Sequence, residues 1–139
     1  QTAVLQQVFG VGKLTALTYV LVVQDPTKHA SRAVGAYVGL VPRKDQSGHS
    51  DPELHITKAG DVLLRKLLVQ CAQVILGPRG QDCDLRRWGL QLAGRGAKAA
   101  KRRAIVAVAR RLAVLLHALW RSGATYEPLR HARPATTAA

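Results

Sequence analysis

Apolar residues recur along this chain at the spacing of one face of an α-helix. Two runs show it most clearly: Leu64, Leu67, Leu68, Cys71 and Ile75, and then Ile105, Val108, Leu112, Leu115, Leu116 and Leu119. Residues three and four apart lie on one side of a helix, so each run predicts a helix with one buried face. Asp61 precedes the first run as a candidate N-cap, and Gly123 follows the second as a candidate C-terminal stop.

The same reasoning divides the chain into short helices separated by glycine, proline and polar breaks. We expect helices over residues 1–9, 13–23, 31–40, 62–76, 82–92 and about 99–122, with polar breaks at 42–53 and 77–83. Ser31 is a candidate N-cap for the third helix, and Asp82 is the candidate start of the fifth. The predicted fold is a compact all-α domain of five or six helices over residues 1–128, followed by a disordered tail over 129–139.

Composition narrows the kind of core and the kinds of site. The 139 residues suffice for one domain, and hydrophobic residues make up 47% while aromatic residues make up only 4%. Cys71 and Cys83 are too far apart for a CxxC motif, and Cys71 is expected to be a buried small hydrophobe. No zinc site and no membrane-spanning segment is predicted. The chain begins at Gln1 and contains no Met, so we interpret it as part of a longer protein.

The charge balance points to an anionic partner. Lys and Arg number 21 against 8 Asp and Glu, which gives a net charge of +13 at pH 7. Such an excess repels itself in a compact domain, and nucleic acid relieves it because each neutralised phosphate releases condensed counterions. An anionic membrane surface is the rival partner, and solubility alone is the plain alternative.

The first candidate binding element is the stretch "GVGKLTALTYV". Gly10 and Gly12 stand between two predicted apolar helices and match a helix-hairpin-helix pattern. Glycines allow the tight turn, and the second helix then offers its unpaired N–H groups to a phosphate, beside the charge of Lys13. Such an element binds the nucleic-acid backbone without reading its sequence. A helix–helix turn with no ligand has the same pattern.

The second candidate is the start of the last helix. Seven basic residues and no acidic ones fall between Arg95 and Arg111. Cations at a helix N-terminus oppose the helix dipole, so a bound anion would account for their placement, although a solvated face would also show such a run. The residues proposed here for nucleic-acid binding are Lys98, Lys101, Arg102 and Arg103.

The third candidate is the loop around "QSG". Ser47 is a possible nucleophile, and a serine hydroxyl needs a base or strong electrostatic help, for which His49 and His55 are candidates. The cations that could hold a phosphate near it are Arg43, Lys44, Lys58, Arg65 and Lys66. From the residues alone, a plain surface turn is the alternative.

Four blocks in order, "GVGKLTAL", "AYVGLVPRKDQSG", "ITKAGDVLLRKLLVQ" and "ARRLAVLLHALWRSGATYEP", resemble the C-terminal domain of transposases of the insertion sequences 110, 116 and 902. The resemblance covers about residues 4–128. It implies a parent protein with an N-terminal nuclease-like domain of the RNase H fold, whose four acidic residues bind a divalent metal, expected to be Mg²⁺.

The resemblance also implies a role for the loop. In the family the serine of the "SG" loop attacks DNA and forms a covalent phosphoserine link, which gives Ser47 the role of nucleophile. Family members recombine DNA as homo-oligomers and can be directed by an element-encoded guide RNA, which implies a cytoplasmic, nucleoid-associated protein. The present chain lacks the metal-binding domain, so we expect no cofactor in this fragment and little or no activity from it alone.

One block departs from the family pattern. Between Ser47 and the "ITK" block the family usually has a Gly- and Arg-rich link, whereas this chain reads "HSDPELH". Asp51 and Glu53 are expected to weaken contact with DNA there. Two alternatives to the recombinase stay open: a non-catalytic helix-hairpin-helix nucleic-acid-binding module, and a basic RNA-binding protein of ribosomal type.

Overall fold

The computed structural model of this chain describes residues 1–41, 56, 58, 60–96 and 98–131. These residues form six α-helices: α1 (Thr2–Leu5), α2 (Lys13–Val23), α3 (Val34–Tyr37), α4 (Val62–Leu76), α5 (Asp84–Ala93) and α6 (Lys98–Ser122). A 3-10 turn at Ser31–Ala33 leads into α3. No described residue belongs to a β-strand, so the predicted all-α class is confirmed for this part of the chain.

The strongly periodic helices begin and end close to the predicted residues because their caps are local. The Asp61 carboxylate accepts a hydrogen bond from the Leu64 N–H at 2.8 Å, so Asp61 is the N-cap of α4. Gly123 has a φ of 67° and its N–H donates to the Leu119 carbonyl at 2.8 Å, which ends α6. α6 begins at Lys98, one residue before the predicted start.

The first helix is much shorter than the predicted 1–9. After Leu5 the chain makes tight turns, in which the Val8 N–H donates to the Leu5 carbonyl and the Val11 N–H to the Val8 carbonyl. Leu5, Val8 and Val11 are all buried in this segment. The turn-type hydrogen bonds replace the helical ladder after Gln6, and the helix therefore ends at Leu5.

The prediction of one helix over residues 31–40 with Ser31 as its N-cap was wrong. The segment is the 3-10 turn followed by the four-residue α3, and its N-cap is Ala30, without a side-chain cap. The Ser31 hydroxyl instead lies 2.8 Å from Nδ1 of His117, a buried side chain of α6. The Ser31 hydroxyl therefore bonds to His117, which is distant in sequence, instead of capping the helix that follows it.

The predicted start of the fifth helix at Asp82 was also displaced. α5 begins at Asp84, and its N-cap is Cys83, whose Sγ accepts from the Arg86 N–H at 3.3 Å. The carboxylate of Asp82 forms a salt bridge with Arg87 at 2.6 Å instead. An ion pair with a nearby arginine therefore replaces the expected cap.

The core forms around α6, which packs against α1, α3, α4 and α5, most extensively against α4 and α5. Tyr19 of α2 is fully buried, and its hydroxyl donates to the Ala113 carbonyl of α6 at 2.6 Å. Cys71 is buried as predicted, and burial raises the pKa of its thiol, which donates to Thr15 Oγ1. α2, α4 and α6 are thereby held in fixed relation to each other.

Candidate nucleic-acid interface

The glycine turn before α2 lies against the end of α4. Gly10 has a φ of 95°, a conformation that favours glycine, and a Cβ built on it would lie 3.3 Å from Ile75 and 3.7 Å from Val74. Gly12 is exposed, and a Cβ there would meet nothing within 4 Å. The turn is therefore packed at its first glycine and open at its second.

The start of α2 differs from the starts of α4 and α5. Gly12 is its N-cap and has no side chain to accept from the first N–H groups, whereas Asp61 and Cys83 accept such bonds in the other two helices. The exposed Lys13 adds a positive charge at the same end. Unpaired N–H groups, the positive end of the dipole and a lysine together suit a phosphate group.

The two ends of the segment that carries Ser47 meet at one place on the fold. The Lys58 N–H donates to the Gly39 carbonyl at 3.1 Å, and Gly60, with a φ of 85°, lies directly against the Tyr37 carbonyl. Ile56 packs partly buried against the core. The described residues on either side of residues 42–55 therefore lie together at the junction of α3 and α4.

Several predicted site residues lie outside the residues that the structure describes: Arg43, Lys44, Ser47, His49, Asp51, Glu53 and His55. Of the cations predicted to accompany Ser47, Lys58 and Lys66 are exposed, and Arg65 is half-buried in the first turn of α4. The structure therefore places these three where the segment rejoins the domain.

The basic residues in the first turns of α6 are exposed. Lys98, Lys101, Arg102 and Arg103 are all exposed, and the first fully buried residue of the helix is Ala104. A shallow groove of about 420 Å³ lies between this turn and the end of α5, with Arg95 and Arg103 among its lining residues. This part of the helix therefore offers a cluster of positive charge outside the packed core.

The side chains of four other arginines contact residues within the fold. The sequence analysis did not predict these contacts. Arg86 donates to the Ile75 and Gly77 carbonyls at 2.9 Å each, and so satisfies the end of α4. Arg87 pairs with Asp82, the Arg110 side chain packs over Gly35, and the Arg111 guanidinium lies 3.9 Å from the Trp88 ring centroid. Except for Asp82, which lies five residues before Arg87, these partners are distant in sequence or lie beyond a break between helices, so the sequence carried no signal for them.

The glycine turn and the described residues that follow the Ser47 segment lie at opposite ends of α4. Gly10 contacts the last turns of that helix, while Lys58 and Gly60 precede its first residue. α4 has 15 residues and is therefore about 22 Å long. Gly10 and Lys58 are thus separated by roughly the length of this helix.

The described acidic residues do not form a metal site. No group of three or more His, Cys, Asp or Glu side chains suited to a metal ion occurs within the described ranges. Asp25, Asp61, Asp82 and Asp84 each accept a hydrogen bond within the fold. The described residues therefore do not fit the divalent metal that the family resemblance implies.

Comparison with known proteins places this arrangement in a family. Residues 2–83, from α1 to the start of α5, match the model of the "Transposase IS116/IS110/IS902 family". The chain belongs to this family of transposases. The match includes the glycine turn, the whole Ser47 segment and α4, and ends before the basic turn of α6.

Two curated relatives extend this result. The chain is similar to the transposase for insertion sequence element IS1111A of Coxiella burnetii, with 37% identity over 122 residues, which cover 87% of this chain and 33% of that protein. It is also similar to the transposase for element IS1328 of Yersinia enterocolitica, with 41% identity over 68 residues, 48% of this chain and 20% of that protein. The chain therefore spans a third or less of the relatives it matches. Within its described residues, no helix has both the length and the apolar run needed to cross a bilayer.

Proposed function

We propose that this chain is the C-terminal domain of a DNA transposase, which binds the nucleic-acid backbone and supplies Ser47 as the nucleophile for strand exchange. The observation that carries the proposal is the family match over residues 2–83, which spans the Ser47 segment and both elements that anchor it. The meeting of the segment's two ends beside Lys58 and Lys66 supports a serine held next to positive charge.

In this proposal the surfaces described above bind the backbone at several points. The α1–α2 turn acts as a helix-hairpin-helix element through Gly10, Gly12 and Lys13, and the basic turn of α6 supplies further phosphate contacts. Because the glycine turn and Lys58 lie about one α4 length apart, these two points would contact positions some six phosphates apart along one strand, at about 3.4 Å each. Sequence-independent contacts then position the strand for the serine.

The chemical step follows from the nucleophile. The Ser47 hydroxyl passes its proton to a base, for which His49 and His55 are the candidates, and its oxygen forms a bond to phosphorus. The bond from phosphorus to the oxygen of the departing DNA strand breaks, and that oxygen takes up a proton. The described residues offer no metal site, so a metal-binding set would have to come from elsewhere in the parent protein. The family resemblance further suggests that the full-length protein acts as a homo-oligomer, in a recombination complex with DNA and an element-encoded guide RNA.

The test of catalysis uses the full-length transposase with its DNA ends. We expect Ser47→Ala to abolish the covalent protein–DNA adduct and strand transfer while leaving DNA affinity within about twofold. Ser50→Ala, three residues away in the same segment, is the matched control and should retain the adduct. Strand transfer by Ser47→Ala at the wild-type rate would overturn the assignment.

A non-catalytic binding module is the second candidate, and the uncapped start of α2 favours it, because that element alone suffices to bind phosphate. This candidate predicts salt-sensitive DNA binding and no covalent adduct in the full-length protein. The adduct assay therefore separates the two functions.

A further inference from the structure

Tyr37 is the exposed tyrosine of this fold. Of the three tyrosines, Tyr19 is fully buried, Tyr126 is half-buried, and Tyr37, the last residue of α3, is 39% exposed. The Tyr37 ring lies against the ring of His29, with 4.6 Å between the ring centroids and 36° between the ring planes. We call these two residues the ring pair. The domain therefore presents an aromatic surface to solvent, although aromatic residues make up only 4% of its sequence.

Contacts at several points fix the orientation of the ring pair. The Tyr37 hydroxyl donates to the Val22 carbonyl near the end of α2 at 3.3 Å, and His29 covers part of the Tyr37 ring. The backbone of Tyr37 is held as well, since its carbonyl lies directly against Gly60. A side chain whose position is set before a ligand arrives loses little conformational freedom on binding, which favours affinity.

The surroundings of the ring pair carry positive charge. Residues 26–41 include two basic residues and no acidic one, and Arg32 of the 3-10 turn is exposed. Lys58 is exposed too, and its N–H bonds to the carbonyl of Gly39, two residues after Tyr37. Lys58 also has a φ of 55°, a left-handed conformation that is rare outside glycine and clusters at functional sites. Cations beside an exposed aromatic ring are the combination that binds single-stranded nucleic acid, with the cations on phosphates and the ring on a base.

We propose that Tyr37, backed by His29, stacks on an unpaired DNA base, while Lys58 contacts the phosphate backbone beside it. This inference rests on the proposed function, because strand exchange between duplexes requires bases near the broken phosphodiester to leave their original partners. The ring pair lies at the junction of α3 and α4, where the described residues on either side of the Ser47 segment meet. Stacking on the ring pair fixes such a strand at this junction.

An intact duplex does not suit the ring pair, because each of its bases is already stacked on its neighbours. We therefore expect one part of the DNA affinity to depend both on unpaired bases and on Tyr37. Since every base has a flat face, this part should tolerate any base sequence. The phosphate contacts proposed for the glycine turn and for α6 act on single strands and duplexes alike.

Fluorescence anisotropy of this chain with labelled DNA measures the contribution of Tyr37. We expect Tyr37→Leu, which keeps an apolar side chain and removes the ring, to weaken binding of a single strand of about 10 nucleotides at least about fivefold. The affinity of this variant for a blunt duplex of the same length should change less than about twofold. Tyr37→Phe is the matched control: it loses the hydroxyl bond to Val22, keeps the ring, and should retain single-strand affinity within about twofold.

Two further measurements separate stacking from charge and from folding. An abasic oligonucleotide has the same phosphates and no bases, so the wild-type chain and Tyr37→Leu should bind it with equal affinity. Photo-cross-linking of the wild-type chain to a single strand that contains 5-iododeoxyuridine, followed by mass spectrometry, should identify Tyr37 or His29 as the linked residue. The cross-link does not depend on the folding of a variant, which thermal unfolding checks for Tyr37→Leu and Tyr37→Phe.

Three results would overturn the proposal: equal single-strand affinity of Tyr37→Leu and wild type, a loss that persists on the abasic strand, or cross-links confined to residues away from the ring pair. A Tyr37-dependent loss seen with an RNA oligonucleotide of the same sequence and not with DNA would overturn the assignment to DNA. Duplex binding and the Ser47 adduct are measured separately, so a failure here is distinct from a failure of the proposed function.

Discussion

At the scale of the residue, His117 is the buried group with an unmet hydrogen bond. It is 0% exposed, its Nδ1 bonds to the Ser31 hydroxyl, and its Nε2 has no partner among the described residues. Burial lowers the pKa of His117, the Pro26 backbone partly opposes this shift, and the charges of Arg121 and His29 act in the same direction as burial. The folded protein therefore holds this imidazole neutral.

The consequence is a loss of stability on mild acidification. The unfolded chain takes up a proton at His117 near pH 6.5, whereas the folded chain resists it, so protonation favours unfolding. The free energy of unfolding, measured with urea, should fall between about pH 7.5 and pH 5.5. His117→Gln should flatten this dependence, and an unchanged pH slope in that variant would contradict the assignment.

A second prediction at this scale concerns Gly60. Its positive φ disfavours any side chain, and a Cβ there would collide with the Tyr37 carbonyl, which is backbone and cannot move aside cheaply. Gly60→Ala should destabilise the domain by about 1–2 kcal/mol from the left-handed conformation, and more from the collision. Gly96→Ala, where the nearest atom would be Ala100 Cβ at 3.4 Å, is the control and should cost much less. Equal unfolding midpoints for the two variants would contradict the prediction that Gly60→Ala costs more stability than Gly96→Ala.

At the scale of the element, some helices have a side chain that caps their first N–H groups and others do not. Asp61 and Cys83 supply side-chain caps to α4 and α5, and Gly12 leaves α2 without one. A capping side chain and a phosphate compete for the same N–H groups. The missing cap on α2 thus leaves its first N–H groups without a side-chain acceptor, as the proposed phosphate contact requires.

This competition can be tested by adding the cap. The backbone of Gly12 is extended, with φ −90° and ψ −178°, so Gly12→Asn fits without strain and its side chain can accept from the first turn of α2. We expect an unfolding free energy equal to or a few tenths of a kcal/mol above wild type, and a DNA affinity lower by about threefold or more. Fluorescence anisotropy with a labelled duplex measures the affinity. Asp61→Ala is the contrast: it should cost about 0.5–2 kcal/mol of stability with little direct effect on DNA binding.

At the scale of the whole molecule, the basic residues behind the net charge of +13 fall into two groups: some contact other residues of the fold, and others are exposed on the surface. Arg86, Arg87, Arg110 and Arg111 have partners within the fold, whereas Lys98, Lys101 and Arg102 are exposed on the first turns of α6. Counting cations in the sequence therefore overstates the charge that a nucleic acid would meet. The exposed turn of α6 is where the excess is concentrated.

Salt should therefore act in opposite directions on folding and on binding. Higher ionic strength screens repulsion among the cations and should raise the unfolding temperature, while it weakens binding by about 0.9 in log affinity per log salt for each phosphate contact on duplex DNA. Changing Lys98, Lys101 and Arg102 together to Ala should reduce the magnitude of that slope by about 2 to 3. Lys28→Ala, an exposed lysine near the end of α2, is the single-charge control. A slope unchanged by the triple substitution would remove α6 from the interface.

The sequence predicted those parts of the fold that depend on neighbours in the chain. The spacing of leucines and the caps Asp61 and Gly123 located α4 and α6, because a helix and its caps lie within a few residues of each other. Ser31 was misassigned because its partner, His117, is 86 positions away. For the candidate site, the sequence predicted which residues carry charge, but the distance between the glycine turn and Lys58 follows from packing on α4. The contact between the His29 and Tyr37 rings likewise could not be foreseen, since a turn separates the two residues in the chain.

The closed base of the Ser47 segment also bears on how this family can diversify. With the Lys58 N–H bonded to the Gly39 carbonyl, both ends are fixed by backbone contacts that do not depend on what lies between them. Lengthening such a closed loop is cheap, about 0.6 kcal/mol for each doubling. The corresponding segments of relatives should therefore be exchangeable between Gly39 and Lys58 without any change to the helices.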